Sequence, residues 1–218
     1  MRDRRERLRN AHLYLVCAEQ SDDFLSAVLG AGVDIVQLRC KDATDEEIVR
    51  NGRRFARAAA EHGALFILND RPDLVEATGA DGVHVGQDDI PVADARAAVG
   101  ADRLVGLSTH SPEQVDGAAT VPVDYIGVGP VHETPTKPGR PAVGLALVRY
   151  ATKHAHVPFF AIGGIAPANV ESVHAAGAER IAVVRALTES ADPALSARLL
   201  RSAIVAPSER GEARVGAT

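Results

Sequence analysis

Short hydrophobic runs recur along the whole chain, and longer segments with helical spacing lie between them. The runs are rich in Val, Ile and Leu, which is typical of buried strands. Eight of them are candidate strands: HLYLV from His12, IVQLR from Ile35, LFIL from Leu65, GVHV from Gly82, LVGLS from Leu104, YIGVG from Tyr125, FFAIGG from Phe159 and RIAVV from Arg180.

The segment from Thr44 to Gly63 has the pattern of an amphipathic helix. Ile48 and Phe55 fall at helical spacing, and Gly63 supplies a stop. Thr44 followed three residues later by Glu47 indicates a capping box at the helix start. Three prolines predict further helix starts, where a missing amide hydrogen costs little: Pro91, Pro112 and Pro167.

The alternation of strand and helix predicts an α/β fold with a parallel sheet and helical crossovers, at a period of roughly 25 residues. Eight such units favour closure into a barrel, because closure leaves no edge strand. We therefore predict a single-domain (β/α)8 TIM barrel over residues 11–205. The basic segment 1–10 and the polar segment 206–218 are expected to be flexible tails.

Composition adds limits on what such a domain does. The 218 residues are 46% hydrophobic, which suits one domain with a sizeable core. A formal net charge of −5 provides no overall positive field for nucleic acid or an anionic membrane. No run suits a membrane span or a signal peptide, so we expect a soluble, cytoplasmic protein. The two cysteines, Cys17 and Cys40, are not in a CxxC arrangement, so we expect ordinary packing.

Polar residues concentrate where six consecutive predicted strands end. In a barrel of this class, the active site forms at the carboxyl ends of the strands, so these side chains should meet at one mouth. They are Gln37, Arg39 and Lys41; Asn69 and Asp70; Gln87, Asp88 and Asp89; Ser108, Thr109 and His110; Thr134, Pro135, Thr136 and Lys137; and Gly163 and Gly164.

Asp70 and Asp89 lie at neighbouring strand ends, where they could share a hard cation. Mg²⁺ prefers oxygen ligands and is usually completed by water and substrate phosphates, so two carboxylates suffice. Nearby Arg39, Lys41 and Lys137 suggest a site for metal and polyphosphate. Ion pairing among these residues, and helix caps at the two carboxylates, remain open as structural alternatives.

The glycine pair Gly163 and Gly164 follows the seventh strand, and Ile165 to Pro167 should open a helix there. Phosphate binding by the loops after the seventh and eighth strands recurs in barrel enzymes, so we expect a phosphate near this turn. His84 and His132 lie near the mouth, and we interpret both as packing or hydrogen-bonding residues.

Seven motifs in this order resemble those of the thiamine phosphate synthases, over roughly residues 12–190. Each is weak alone, but the ordered set is highly specific. The motifs are Gln37-Leu38-Arg39-Cys40-Lys41, Asn69-Asp70, the run from Gly82 to Asp89, Gly106-Leu107-Ser108, the run from Gly127 to Val131, Thr134-Pro135-Thr136-Lys137 and the run from Ala161 to Ile165.

This resemblance implies a transferase of thiamine biosynthesis with two small-molecule substrates, a pyrimidine diphosphate and a thiazole phosphate. It implies a magnesium site at Asp70 and Asp89, with Asp88 adjacent. The residues expected to act on the diphosphate are Arg39, Lys41, Lys137 and Ser108. The substrate-binding set on the pyrimidine side comprises Gln37, Leu38, Arg39, Cys40, Lys41, Asn69, Ser108 and Lys137. On the thiazole side it comprises Thr134, Thr136, Gly164, Val184 and Arg185, and Pro135 between the two threonines completes the set.

Arg185 departs from the family pattern, in which many members carry Ser. A phosphate contact through backbone amides would tolerate the change. Two other functions stay open: a relative of thiazole tautomerase, which needs no diphosphate site, and a non-catalytic barrel that binds a phosphorylated metabolite. The sequence does not determine the oligomeric state, and a homo-oligomer stays open.

Overall fold

A computed structural model of the chain describes residues 3–133 and 142–205. Within these residues, parallel strands in sequential order form a closed barrel, which confirms the predicted α/β TIM-barrel class. The eighth strand pairs with the first, so the sheet has no free edge. The strands are β1 (Leu13–Cys17), β2 (Ile35–Leu38), β3 (Leu65–Asn69), β4 (Gly82–Val85), β5 (Leu104–Thr109), β6 (Tyr125–Val128), β7 (Phe159–Ile162) and β8 (Ile181–Val183).

Helices follow the strands and cover the outside of the barrel, and short 3₁₀ turns lie at Pro72–Leu74 and Ala118–Thr120. No helix within the described part of the chain is long and apolar enough to cross a membrane. The helices are α1 (Arg4–Arg9), α2 (Asp22–Gly30), α3 (Asp45–Glu61), α4 (Val75–Thr78), α5 (Val92–Val99), α6 (Pro112–Gly117), α7 (Gly144–His154), α8 (Val170–Ala175), α9 (Arg185–Thr188) and α10 (Pro193–Val205).

The predicted helix starts are confirmed in three cases and displaced in one. The capping box at Thr44 is present at the start of α3, Pro91 immediately precedes α5, and Pro112 is the first residue of α6. Pro167 does not open a helix, because α8 begins at Val170. The intervening residues form a turn held by Asn169, whose side chain accepts from the Ala166 amide and donates to the Gly164 carbonyl.

Two apolar layers lie on either side of the barrel wall, since alternate residues of a strand point to opposite faces. The larger layer packs between the strands and the outer helices. The smaller layer fills the lumen with these residues: Leu8, Ala11, Tyr14, Val16, Ile35, Leu65, Ile67, Leu104, Tyr125, Phe160 and Ala182.

We expected residues 1–10 to form a flexible tail, but the part of this segment that the structure describes, residues 3–10, packs against the barrel. Residues Arg4–Arg9 form α1, and Leu8 is 2% exposed in the lumen layer. Arg4 and Arg5 donate to Asp81 and Asp124 at the strand starts, each at 2.8 Å. The helix therefore closes the end of the barrel opposite the mouth. The predicted tail at 206–218 lies outside the described residues.

An aspartate stands immediately before each of β2, β4 and β6: Asp34, Asp81 and Asp124. Each carboxylate accepts backbone N–H groups from the strand before it or its flank, and each also pairs with arginine. We call these three residues the aspartate clamps. They join neighbouring strands at the end of the barrel away from the mouth.

Candidate active site

Two adjacent cavities open at the carboxyl ends of the strands. The larger cavity has a volume of about 460 Å³ and the smaller one about 90 Å³. Both are lined by Ser108, Ile162 and Val184, which therefore form their common border. Two ligands seated in these cavities would meet at this border.

The smaller cavity gathers most of the polar residues predicted from the strand ends. Two cations and two carboxylates line one small volume, together with amide, hydroxyl and imidazole groups. Its polar lining consists of Gln37, Arg39, Lys41, Asn69, Asp70, His84, Asp89 and Ser108.

The carboxylates of Asp70 and Asp89 lie side by side. Burial raises the pKa of the Asp70 carboxyl above its ordinary value, and the charge of Asp89 raises it further. Asp70 also has a φ of 61°, in the left-handed region that few non-glycine residues adopt. Asp89 is held in place by the Gly86 amide, which donates to its Oδ2 atom at 2.7 Å. Asp89 lines the smaller cavity and Asp88 does not, so geometry favours Asp89 as the second carboxylate.

This pair fits a small hard cation. Two adjacent carboxylates repel each other, and a bound divalent cation would offset that repulsion. Within residues 3–133 and 142–205, no group of three or more His, Cys, Asp or Glu side chains could hold a metal ion. A cation here would therefore take its remaining ligands from water or a phosphate, as Mg²⁺ commonly does.

Hydrogen bonds in the lumen connect the smaller cavity to buried tyrosines. Gln37 is 3% exposed, and its Nε2 atom donates to the Tyr14 hydroxyl at 2.5 Å. The Tyr14 and Tyr125 oxygens are 3.0 Å apart. His84 Nδ1 lies 3.2 Å from the Tyr125 oxygen, and His84 Nε2 lies 2.9 Å from Ser108 Oγ. His84 was interpreted from the sequence as a packing or hydrogen-bonding residue, and neither tyrosine was predicted to lie near the site.

The larger cavity contains the predicted phosphate turn. Gly163 and Gly164 have φ values of 106° and 63°, which an L side chain rarely adopts. Val184 and Arg185 also line this cavity, at the start of α9. The Arg185 guanidinium lies 3.7 Å from the carboxylate of Glu189, one helical turn later. The cavity thus offers a tight glycine turn and one arginine to an anionic group.

Some predicted residues lie elsewhere. The side chain of Leu38 packs in the layer between strands and helices, because it alternates with Gln37, so the structure does not support it as a substrate contact. Cys40 lines a third cavity of about 580 Å³, next to Asp42 and Glu47, and neither of the two cavities above. The predicted residues Thr134, Pro135, Thr136 and Lys137 lie outside the described residues.

Comparison with known sequences shows which family this chain is similar to. The profile of a family described as thiamine monophosphate synthase matches residues 13–187. A protein of Acidothermus cellulolyticus named thiamine-phosphate synthase is 52% identical over 198 residues, which cover 87% of this chain and 93% of that protein.

A second relative is longer. A thiamine-phosphate synthase of Prochlorococcus marinus strain MIT 9303 is 46% identical over 208 residues, covering 92% of this chain. The matched region is 59% of that relative's length, so this chain corresponds to little more than half of it.

Structure comparison agrees. A solved structure described as thiamine phosphate pyrophosphorylase from Pyrococcus furiosus superposes with a TM-score of 0.82 at 28% identity. The superposition covers 92% of this chain and 96% of the other. The shared architecture therefore extends over most of both chains.

Proposed function

The chain belongs to the thiamine monophosphate synthase family, and from that premise we propose that it is a transferase of thiamine biosynthesis. It joins 4-amino-2-methyl-5-(diphosphooxymethyl)pyrimidine to a thiazole phosphate or its carboxylated form, giving thiamine monophosphate and pyrophosphate. The observation that carries this proposal is the pair of cavities with a common border at Ser108, Ile162 and Val184. A reaction between two separate substrates requires such an arrangement.

The smaller cavity suits the pyrimidine diphosphate. Arg39 and Lys41 supply positive charge for the diphosphate, and Gln37, Asn69 and Ser108 supply uncharged hydrogen-bonding groups for the ring. Asp70 and Asp89 would hold Mg²⁺. When bound, that ion would supply charge neutralisation for the diphosphate oxygens.

The larger cavity suits the thiazole phosphate. Backbone amides around Gly164 and Val184, with the guanidinium of Arg185, can receive a phosphate. Thr134 and Thr136 enter this assignment, and Lys137 enters that of the diphosphate, from the family resemblance alone. Because α8 begins only at Val170 and has six residues, we assign the phosphate to the turn and not to that helix.

The reaction needs little acid–base chemistry from the protein. The carbon–oxygen bond between the pyrimidine methylene and the diphosphate breaks, and its electron pair leaves with pyrophosphate. Arg39 and Lys41 stabilise that departing charge. The electron-rich aminopyrimidine stabilises the cation left on carbon, and the thiazole nitrogen donates its lone pair to form the new carbon–nitrogen bond. The protein's main task is to hold the two rings in line.

The two cavities weigh against the alternative functions. A relative of thiazole tautomerase would need the larger cavity but not the paired carboxylates with Arg39 and Lys41. A non-catalytic barrel that binds one phosphorylated metabolite would not need a second cavity with a common border. A cytoplasmic location and any homo-oligomer remain predictions.

The test is pyrophosphate release by the purified chain. We expect release only when both substrates and Mg²⁺ are present, and none when either substrate or the ion is left out. Asp116→Asn serves as a control, since Asp116 lies on α6, where it accepts from Tyr150 away from both cavities. Binding of the thiazole phosphate without any turnover would favour the non-catalytic alternative and overturn the proposal.

A further inference from the structure

The loop after β3 holds Asp70 in an unfavourable backbone conformation. Its φ of 61° lies in the left-handed region, which is disfavoured about fivefold even for aspartate, a residue that tolerates it better than most. On its amino-terminal side, the Asp70 amide donates to the His84 carbonyl on β4 at 2.9 Å. This hydrogen bond continues the pairing of β3 with β4 and fixes one side of the residue. The left-handed conformation persists only if the other side is fixed as well.

Arg71 supplies the second anchor. Its Nε and Nη2 atoms donate to the two carboxylate oxygens of Asp73, at 2.9 Å and 2.6 Å, and its Nη1 atom donates to Asp45 at 2.6 Å. The bond pair to Asp73 closes over the 3₁₀ turn that begins at the buried Pro72. A proline also restricts the backbone of the residue before it. The peptide between Asp70 and Arg71 is therefore held from both ends.

The bond to Asp45 joins two loops of the mouth. Asp45 lies 26 residues away in the first turn of α3, which follows β2. The end of β2 carries Arg39 and Lys41, and these two cations line the smaller cavity together with Asp70. Arg71 itself lines none of the three cavities that the described residues form. It can act on the site only through the backbone of Asp70 and through the loops that it joins.

These ion pairs contribute little to the stability of the whole fold. The side chains of Asp45 and Asp73 are 65% and 58% exposed, and that of Arg71 is 32% exposed. Ion pairs at such exposure add little to the free energy of unfolding. Their effect is local, because they decide which backbone conformation the neighbouring Asp70 adopts.

We propose that Arg71 is a positioning residue that holds Asp70 in its left-handed conformation, so that its carboxylate lies beside Asp89 and receives a divalent cation. This inference rests on the proposed function, in which the two aspartates bind Mg²⁺. Without Arg71, Asp70 would mostly occupy the ordinary regions of φ, and its carboxylate would leave the pair. The apparent dissociation constant of the ion increases as the competent fraction falls, so it should rise about fivefold.

The experiment measures Mn²⁺ binding to the purified protein by electron paramagnetic resonance, which detects the free ion and needs no turnover. Mn²⁺ stands in for Mg²⁺ because it takes the same oxygen ligands. Arg71→Ala should raise the dissociation constant of Mn²⁺ about fivefold. Arg71→Lys keeps the charge but loses the planar fork, so its dissociation constant should lie between those of Arg71→Ala and the wild type. A charge effect alone has the opposite sign, because removing a cation near two carboxylates would tighten Mn²⁺ binding.

Turnover gives a second readout. In the pyrophosphate-release assay, Arg71→Ala should raise the Mg²⁺ concentration for half-maximal turnover by about the same factor as the dissociation constant of Mn²⁺. Turnover at saturating Mg²⁺ should return to near the wild-type value, because excess ion selects the left-handed conformer. A residue that touched the substrate would not be rescued in this way.

Two control variants match the substitutions. Arg103→Ala removes an arginine that pairs with Glu76 and donates to a backbone carbonyl before β5, at the end of the barrel away from the mouth. It should bind Mn²⁺ as the wild type does. Asp45→Ala removes only the bond between the loops and should weaken Mn²⁺ binding about twofold or more. Its control is Glu46→Ala, which removes an exposed carboxylate from the same helix turn.

The outcomes separate this inference from the proposed function. A wild type that releases pyrophosphate, together with an Arg71→Ala variant that binds Mn²⁺ as tightly as the wild type or tighter, would overturn the positioning role and leave the function intact. A wild type that neither binds Mn²⁺ nor releases pyrophosphate would overturn the function, and the positioning role with it. Weaker binding in Arg71→Ala and Asp45→Ala, with wild-type binding in both controls, would support the role.

Thermal unfolding checks that each variant is folded. If Arg71→Ala does not fold, Asp45→Ala compared with Glu46→Ala decides in the same way. If the ion binds only together with the diphosphate substrate, the Mg²⁺ concentrations for half-maximal turnover of the same variants decide.

Discussion

Replacement of Asp124 tests whether the aspartate clamps stabilise the barrel. Its side chain is 9% exposed and lies immediately before β6. The carboxylate accepts from the Val105 backbone N–H at 2.8 Å and from Arg5 Nε at 2.8 Å, and it also pairs with Arg96. Asp124→Ala removes all three partners at once without disturbing the mouth.

The expected loss follows from these contacts. A buried amide left without an acceptor costs about 1–3 kcal/mol, and the lost pairing with the half-buried Arg96 adds to that. Arg5 is 38% exposed, so its pair with Asp124 contributes about 1 kcal/mol or less. We therefore expect Asp124→Ala to lower the free energy of unfolding by about 3 kcal/mol. For a chain of this size, that corresponds to a fall in Tm of about 6–12 °C.

Urea denaturation at equilibrium, followed by circular dichroism, measures the change in unfolding free energy. Two further variants divide the effect by mechanism. Asp124→Asn keeps an oxygen for the Val105 amide but loses the charge, so its loss should be smaller. Arg5→Ala should cost about 1 kcal/mol or less. Turnover per folded molecule should remain at the wild-type value in all three, because both cavities lie at the opposite end of the barrel.

A loss below about 1 kcal/mol for Asp124→Ala would refute this reasoning, since that is the range of ordinary surface substitutions. An Arg5→Ala variant as unstable as Asp124→Ala would also contradict it, because the exposed pair would then account for the whole effect.

Two further predictions concern the cavities. Asp70→Asn and Asp89→Asn should each lower turnover by about two orders of magnitude without changing Tm by more than a few degrees. If both variants kept near-normal turnover in a magnesium titration, that result would contradict the metal assignment. Gly164→Val should raise the Michaelis constant for the thiazole phosphate about tenfold or more, because Gly164 has a φ of 63° and its Cβ would lie 2.7 Å from the Cβ of His132. Gly117→Ala, where a Cβ meets nothing within 4 Å, is the control, and equal Michaelis constants in the two variants would argue against a phosphate at the turn.

The strands and the polar residues of the mouth were predictable because both follow from short-range patterns. A buried parallel strand must be apolar over several residues, and its end can be read where polar residues begin. The barrel rule then brings strand ends together without knowledge of any side-chain contact. For this reason Gln37, Asp70 and Asp89 could be expected to meet at one mouth although they are far apart in sequence, and all three line the smaller cavity.

The structural features that could not be predicted from the sequence depend on contacts between segments that are far apart in the chain. The basic residues Arg4 and Arg5 resemble a solvated tail until their partners Asp81 and Asp124 are known. Tyr14 and Tyr125 have the composition of ordinary core residues, and only the three-dimensional structure shows that their hydroxyls meet. The sequence does carry one signal, an aspartate immediately before each of β2, β4 and β6. Its role in joining neighbouring strands can be recognised only when the pairing of the barrel strands is known.

The contact between Arg201 on α10 and Asp34 before β2 has a consequence for how the protein is made. The two residues are 167 positions apart, so the partner of Asp34 leaves the ribosome long after the aspartate itself. At roughly 5–20 residues per second, that interval is about 10–30 s. Throughout it, β1 lacks both α10, which packs against it, and β8, with which it pairs. The nascent chain therefore spends this time with an open sheet edge, the period in which a chaperone would be of most use.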